Sequence, residues 1–138
     1  MSTFLNPYLN FRAQAREAMT FYQSVLGGEL QVMTFADQGG MGVPESEAGL
    51  VMHSALTVSD SVLLMGADVP SHVDTGGDIA NGSISLSGDD EATLSAWFTG
   101  LAEGGQVTAP LEKAPWGDSF GMLTDRYGVD WMVNISGS

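Results

Sequence analysis

Two stretches of the chain carry apolar residues at helical spacing. Residues 15–26 place Ala15, Ala18, Met19, Tyr22, Val25 and Leu26 on one stripe, and Gly27 follows where a left-handed cap would sit. The second stretch opens on Ser87 and the acids Asp89, Asp90 and Glu91, which suit the positive end of a helix dipole. It then sets Leu94, Trp97, Phe98, Leu101 and Ala102 on one face before Gly104. After each of the pairs Gly27-Gly28 and Gly104-Gly105 the period changes to two. ELQVMTFA, LVMHSALTV and SVLLMGA follow the first pair, and GQVTAPLEK, DSFGMLTD and GVDWMVNIS the second. Each run is rich in Val, Leu, Thr and aromatics and bounded by turn residues, as strands are. A further strand-like run precedes each helix, FLNPYLNF (4–11) and GSISLS (82–87).

The order strand, helix, three strands therefore occurs twice. Phe21-Tyr22 matches Trp97-Phe98 at an offset of 76, Gly27-Gly28 matches Gly104-Gly105 at 77, and Leu56-Thr57 matches Leu123-Thr124 at 67. The offset falls by ten because the first half has a longer loop, residues 36–49, which reads as a lid, a dimer arm or a plain solvated loop. The expectation is an α+β protein of two βαβββ modules, module one about 1–70 and module two about 80–138, together one domain over 1–138. Neither four-stranded sheet could bury both faces alone, so the modules must pair, within the chain or with a second subunit.

Composition narrows the chemistry. The 138 residues hold no cysteine, which removes thiolate nucleophiles, disulfides and Cys-ligated metals. The net charge of −13 repels phosphate backbones and anionic lipids, so neither nucleic acid nor a membrane surface is an expected partner. An acidic site would instead attract a cationic guest. The N-terminus has neither a basic start nor an apolar h-region, and no run approaches the ~20 apolar residues of a membrane helix, so a soluble cytoplasmic protein is expected. The phosphate-cradling patterns GxGxxG and GxxxxGK[ST] are missing, which counts against a nucleotide or methyl-donor site.

PYLNF, AREAMTFYQSVLGGEL, VMHSAL and PLEKAPWGDSFGMLTDRYGVDWMVN cover nearly the whole chain. With the duplicated module they resemble the vicinal oxygen chelate superfamily, which includes glyoxalases, bleomycin-resistance proteins and extradiol dioxygenases, and within it the PhnB-like subgroup. The resemblance implies strongly curved mixed sheets forming a cleft, with helices outside. It also implies divalent-metal ligands on the first strand, usually His, and on the last strand, usually Glu, of each module. Counted along this chain, those positions fall on Pro7, on Asn81 or Ser83, on Met65 and on Met132; a slip of two brings in only Asn134. These are poor ligands for a hard or borderline metal, so no metal and no other cofactor is expected.

Strand alternation selects the cleft lining. In LVMHSALTV, Leu50, Met52, Leu56 and Val58 form the covered face, leaving Val51, His53, Ala55 and Thr57 on the other. The candidate binding residues are His53, Met65, Ser83, Trp116, Met132 and Asn134. His53 is also the candidate catalytic residue, as an acid/base, although the same imidazole could satisfy a neighbouring group structurally. Trp116 reads either as a cap on the cleft or as a plug closing the core under its hairpin. The acids Glu112, Asp118, Asp125 and Asp130 read either as an acid/base pair or as turn and strand-end residues. The expected function is metal-free binding of a small organic molecule, with a homodimer as the assembly. The alternatives are a metal-dependent lyase, isomerase or dioxygenase built around His53, and a metal-free enzyme using His53 as base.

Overall fold

A computed structural model describes residue 3 and residues 5–40, 42–73 and 79–137. Phe4, at the head of the first strand-like run, lies outside the described residues, as does Met41 in the 36–49 loop. The chain divides into two compact units, Met1–Ala80 and Asn81–Ser138.

The first unit runs β1 (Tyr8–Phe11), α1 (Ala15–Leu26), β2 (Glu29–Thr34), β3 (Val51–Thr57) and β4 (Leu63–Asp68). Its sheet has the order β1-β4-β3-β2, with β1 parallel to β4 and the other neighbours antiparallel. The second repeats this with β5 (Ser83–Gly88), α2 (Glu91–Ala102), β6 (Gln106–Lys113), β7 (Ser119–Thr124) and β8 (Asp130–Ile135), in the order β5-β8-β7-β6. The repeated order read from hydrophobic period is thus the observed one, an α+β fold of two mixed four-stranded sheets. Pro110, which cannot donate to a ladder, sits on β6, an edge strand, where the pairing register shifts between Ala109 and Glu112.

Each helix covers one face of its sheet. In the first unit Ala15, Ala18, Met19, Tyr22 and Leu26 of α1 are buried with Leu9, Phe11, Leu56 and Leu64. In the second, Leu94, Phe98 and Leu101 of α2 are buried with Ile84, Leu123, Trp131 and Val133. Close-packed apolar surface of this kind is the main stabilising term of each unit.

The second glycine of each Gly-Gly pair is required by contact. A Cβ on Gly28 would lie 2.4 Å from the Thr57 carbonyl oxygen, and one on Gly105 would lie 2.3 Å from that of Thr124. The chain returning from each helix therefore presses against the end of the neighbouring strand, at the Leu-Thr pairs that the repeat matched.

The two helices are capped differently. Asp90 caps α2 from within, its carboxylate accepting from the Thr93 amide at 3.1 Å and the Thr93 hydroxyl at 2.8 Å. Gln14 makes no such bond at α1. There, buried Asp68 at the end of β4 accepts from the Ala15 amide and, through its other oxygen, from the Val51 amide, both at 2.9 Å. One carboxylate thus ties the start of α1 to the start of β3.

Among the described residues no helix is long and apolar enough to cross a membrane.

Candidate functional site

Each sheet keeps a face that its helix does not cover, and period-two alternation decides what stands on it. In the first unit, register aligns Tyr8, Met65, Ala55 and Gln31 in one row across β1, β4, β3 and β2, with His53 opposite Met33 in the next. Val51 departs from the expected alternation, being buried at 1% exposure. Met33 pairs with His53 but Thr34 pairs with Val51, so Met52 is an extra residue on β3 that reverses the parity beyond it.

His53 is held from the side by Tyr8. The phenol oxygen lies 3.0 Å from His53 Nδ1, and the two rings stack with centroids 5.7 Å apart and planes 27° apart. Burial pushes the Tyr8 phenol above its usual range, so it keeps its proton at neutral pH. Beside His53 is an open hollow of about 360 Å³, lined by Gln31, Met33, Asp37, Gln38, His53 and Ala55. Asp37 and Gln38 reach it from the start of the 36–49 loop, where a short 3-10 turn, Ala36–Gln38, is locked to β2. The Thr34 amide donates to Asp37 Oδ2 at 2.9 Å, and the Asp37 amide donates to the Thr34 hydroxyl at 3.2 Å. Those Thr34 contacts hold the Asp37 carboxyl below its ordinary range. The far end of the loop is fastened as well, Glu47 accepting from the Ser71 amide at 2.8 Å and its hydroxyl at 2.9 Å.

The other candidates lie in the second unit. Ser83 and Met132 stand on its helix-free face, Met132 opposite Ser85 and Met122, and Ser83 opposite Asp130. The Asn134 amide donates to Asp118 Oδ2 at 3.1 Å, and Asp118 Oδ1 accepts from the Gly137 amide at 2.9 Å; these bonds hold the Asp118 carboxyl below its usual range. Trp116 is 69% exposed on a hairpin turn, so it does not close the core. Asp125 and Asp118 sit at strand ends as turn residues.

Met65 and Met132 do occupy equivalent places, each paired in parallel with the first strand of its unit. Their partners, however, are Tyr8 and Ser85, where residue counting pointed to Pro7 and to Asn81 or Ser83. Two thioethers, a phenol and an aliphatic hydroxyl are poor donors for a hard or borderline divalent ion, so these residues do not fit the metal site that the resemblance implies. Among the described residues no three His, Asp or Glu side chains are grouped to hold a metal. Tyr8 against His53, and Gln31, Asp37 and Gln38 on the wall of the hollow, are candidates that sequence reading did not name. Alternation in YLNF already set Tyr8 opposite Leu9 and Phe11 in face, but its meeting with His53 depends on the parallel pairing of β1 with β4.

A duplicated βαβββ chain, each sheet backed by one helix and bare of helix on its other face, is an α+β protein of two repeated modules. Its residues 5–133 match the model of the Glyoxalase/Bleomycin resistance protein/Dioxygenase superfamily, and the chain belongs to that superfamily. It is similar to the crystal structure of protein PA1353 from Pseudomonas aeruginosa, with 39% identity and a TM-score of 0.84 over 99% of this chain and 100% of that one. A PhnB protein from Bacillus cereus, provisionally described as a 3-demethylubiquinone-9 3-methyltransferase, is 28% identical with a TM-score of 0.72 over 97% of this chain and 100% of its own. Protein YjdN of Escherichia coli (strain K12) is 27% identical over 95% of this chain and 94% of its own length.

Proposed function

We propose that the chain is a PhnB-like member of its superfamily that binds a small organic molecule in the hollow beside His53, without a divalent metal. The observation that carries this reading is the hollow itself. It offers one imidazole, oriented by Tyr8, two side-chain amides and the apolar surface of Met33 and Ala55, which is the mixture of apolar wall and few polar groups that small-molecule sites use. The donors Tyr8 and Met65 in the first unit, and Ser85 and Met132 in the second, each support the metal-free part. The exposed Tyr8, Met33, Met122 and Trp116 leave apolar surface for a second copy of the chain, so a homodimer belongs to the same reading.

Elemental analysis of untagged protein purified without chelator, for wild type and His53→Ala, tests the metal. Neither protein should carry stoichiometric metal, and His53→Ala should lose binding of small organic probes. Metal near one equivalent in the wild type that is lost in His53→Ala would overturn the reading in favour of a metal-dependent lyase, isomerase or dioxygenase. Light scattering that gives a monomer at working concentration would refute the homodimer.

A further inference from the structure

The hydrogen bond between Tyr8 and His53 decides what the imidazole can offer a guest. A neutral imidazole carries one proton, and the nitrogen that keeps it is set by the bond made at the other. Tyr8 is a protonated phenol whose hydroxyl has no other partner among the described residues, and a phenol O–H is a better donor to imidazole than an imidazole N–H is to a phenol oxygen. A bond donated by Tyr8 to Nδ1 leaves the ring's own hydrogen on Nε2. His53 Nε2 has no hydrogen-bond partner among the described residues, and the ring lines the hollow whereas Tyr8 does not.

We infer that Tyr8 is a positioning residue that fixes His53 as an Nε2–H donor, so that the hollow selects a small organic molecule bearing an acceptor oxygen, carbonyl or amide, and neutral or cationic overall. The acceptor takes the Nε2 hydrogen, and the stacked Tyr8 ring restrains the imidazole plane so that the donor is aimed before the guest arrives. Anionic acceptors are disfavoured because Asp37 is the one formal charge on the wall. The Gln31 and Gln38 amides can answer further polar groups on the guest. This inference rests on the binding reading above for its ligand class, but the orientation of His53 is testable in the free protein.

The experiment has two arms. In the free protein, 15N NMR of the histidine rings at neutral pH is combined with the rate of modification by diethyl pyrocarbonate, which attacks an unprotonated ring nitrogen. His53 should show the Nε2–H form with its Nδ1 correlated to the Tyr8 hydroxyl proton. It should react about fivefold more slowly than exposed His72, the factor that a hydrogen bond of about 1 kcal/mol represents. Tyr8→Phe, which keeps the ring and its stacking, should remove that protection. An Nδ1–H ring in the wild type, or equal His53 reactivity in wild type and Tyr8→Phe, would overturn the inference.

In the second arm N,N-dimethylbenzamide, an acceptor with no N–H, and benzylammonium, a cation with no acceptor, are titrated separately. The amide should shift the His53 Nε2 and Met33 methyl resonances and bind about fivefold more weakly to Tyr8→Phe. A His53 Nε2 signal that moves only with benzylammonium would overturn the ligand class. If neither probe moves any hollow resonance, the binding reading itself fails, while the first arm still decides the role of Tyr8.

Discussion

Removal of the Asp125 side chain should cost the second unit several kcal/mol. Its Oδ1 accepts from the Tyr127 amide at 2.8 Å and the Val129 amide at 3.0 Å, and its Oδ2 accepts from the Trp131 indole at 2.9 Å. The residue is 4% exposed, Val129 1% and Trp131 2%, so water cannot replace the carboxylate at two of the three donors. Asp125→Ala removes this acceptor from both, at about 1–3 kcal/mol each, and exposes the Tyr127 amide to solvent more cheaply; the sum is about 2–6 kcal/mol, a large share of the 5–15 kcal/mol typical of a domain. Asp125→Asn keeps the volume but turns an NH2 toward an N–H whichever way the amide is set, for about 2–4 kcal/mol. Urea unfolding at neutral pH and fixed protein concentration, followed by far-UV circular dichroism so that the altered Trp131 environment does not bias the signal, would read both variants against exposed Asp60→Asn, expected within about 0.5 kcal/mol of wild type. If Asp125→Asn costs less than about 1 kcal/mol, the carboxylate does not organise this turn and the accounting is wrong.

Two further expectations concern stability. A Cβ at Gly28 meets the Thr57 carbonyl, whereas one at Gly27 meets nothing within 4 Å. Both glycines have positive φ, 92° and 79°, and Gly27, with ψ −165°, sits in an extended positive-φ region rather than in the left-handed cap that the sequence suggested, so Gly27→Ala should cost about 1–3 kcal/mol from backbone strain alone and Gly28→Ala at least about 1 kcal/mol more; equal losses in urea titrations would contradict the close approach. The Ser71 amide and hydroxyl hold Glu47 below its ordinary value of 4.5, with His72 and Arg12 adding smaller pulls. Because the folded-state value is the lower one, this contribution is complete above the ordinary carboxylate range and is lost as pH falls through the folded value. Wild type should therefore lose more thermal stability than Glu47→Gln on acidification from pH about 5 to about 3, and parallel Tm curves for the two would refute the Glu47–Ser71 tie.

Much of this molecule was legible in its sequence because the signals are local. Helical spacing in 15–26 and 91–102 and the Gly-Gly stops delimit α1 and α2. Alternation in GVDWMVNIS sets Trp131 and Val133 in the core and Met132 and Asn134 on the other face, as observed. The offset of 67 already made Met65 and Met132 equivalent. What required the tertiary structure was whatever depends on register between strands distant in sequence. The extra residue Met52 reverses the face of Val51 through its pairing with β2, which no count along β3 alone reveals. Asp68 caps α1 from 53 residues away. Tyr8 reaches His53 across 45 residues because β1 lies parallel to β4 and β4 antiparallel to β3, and Asp37 and Gln38 join the hollow through a turn folded back on β2. Periodicity determines which face a side chain takes, but which residue it meets on that face is decided by long-range pairing, whose loop-closure cost and hydrogen-bond register are properties of the assembled sheet.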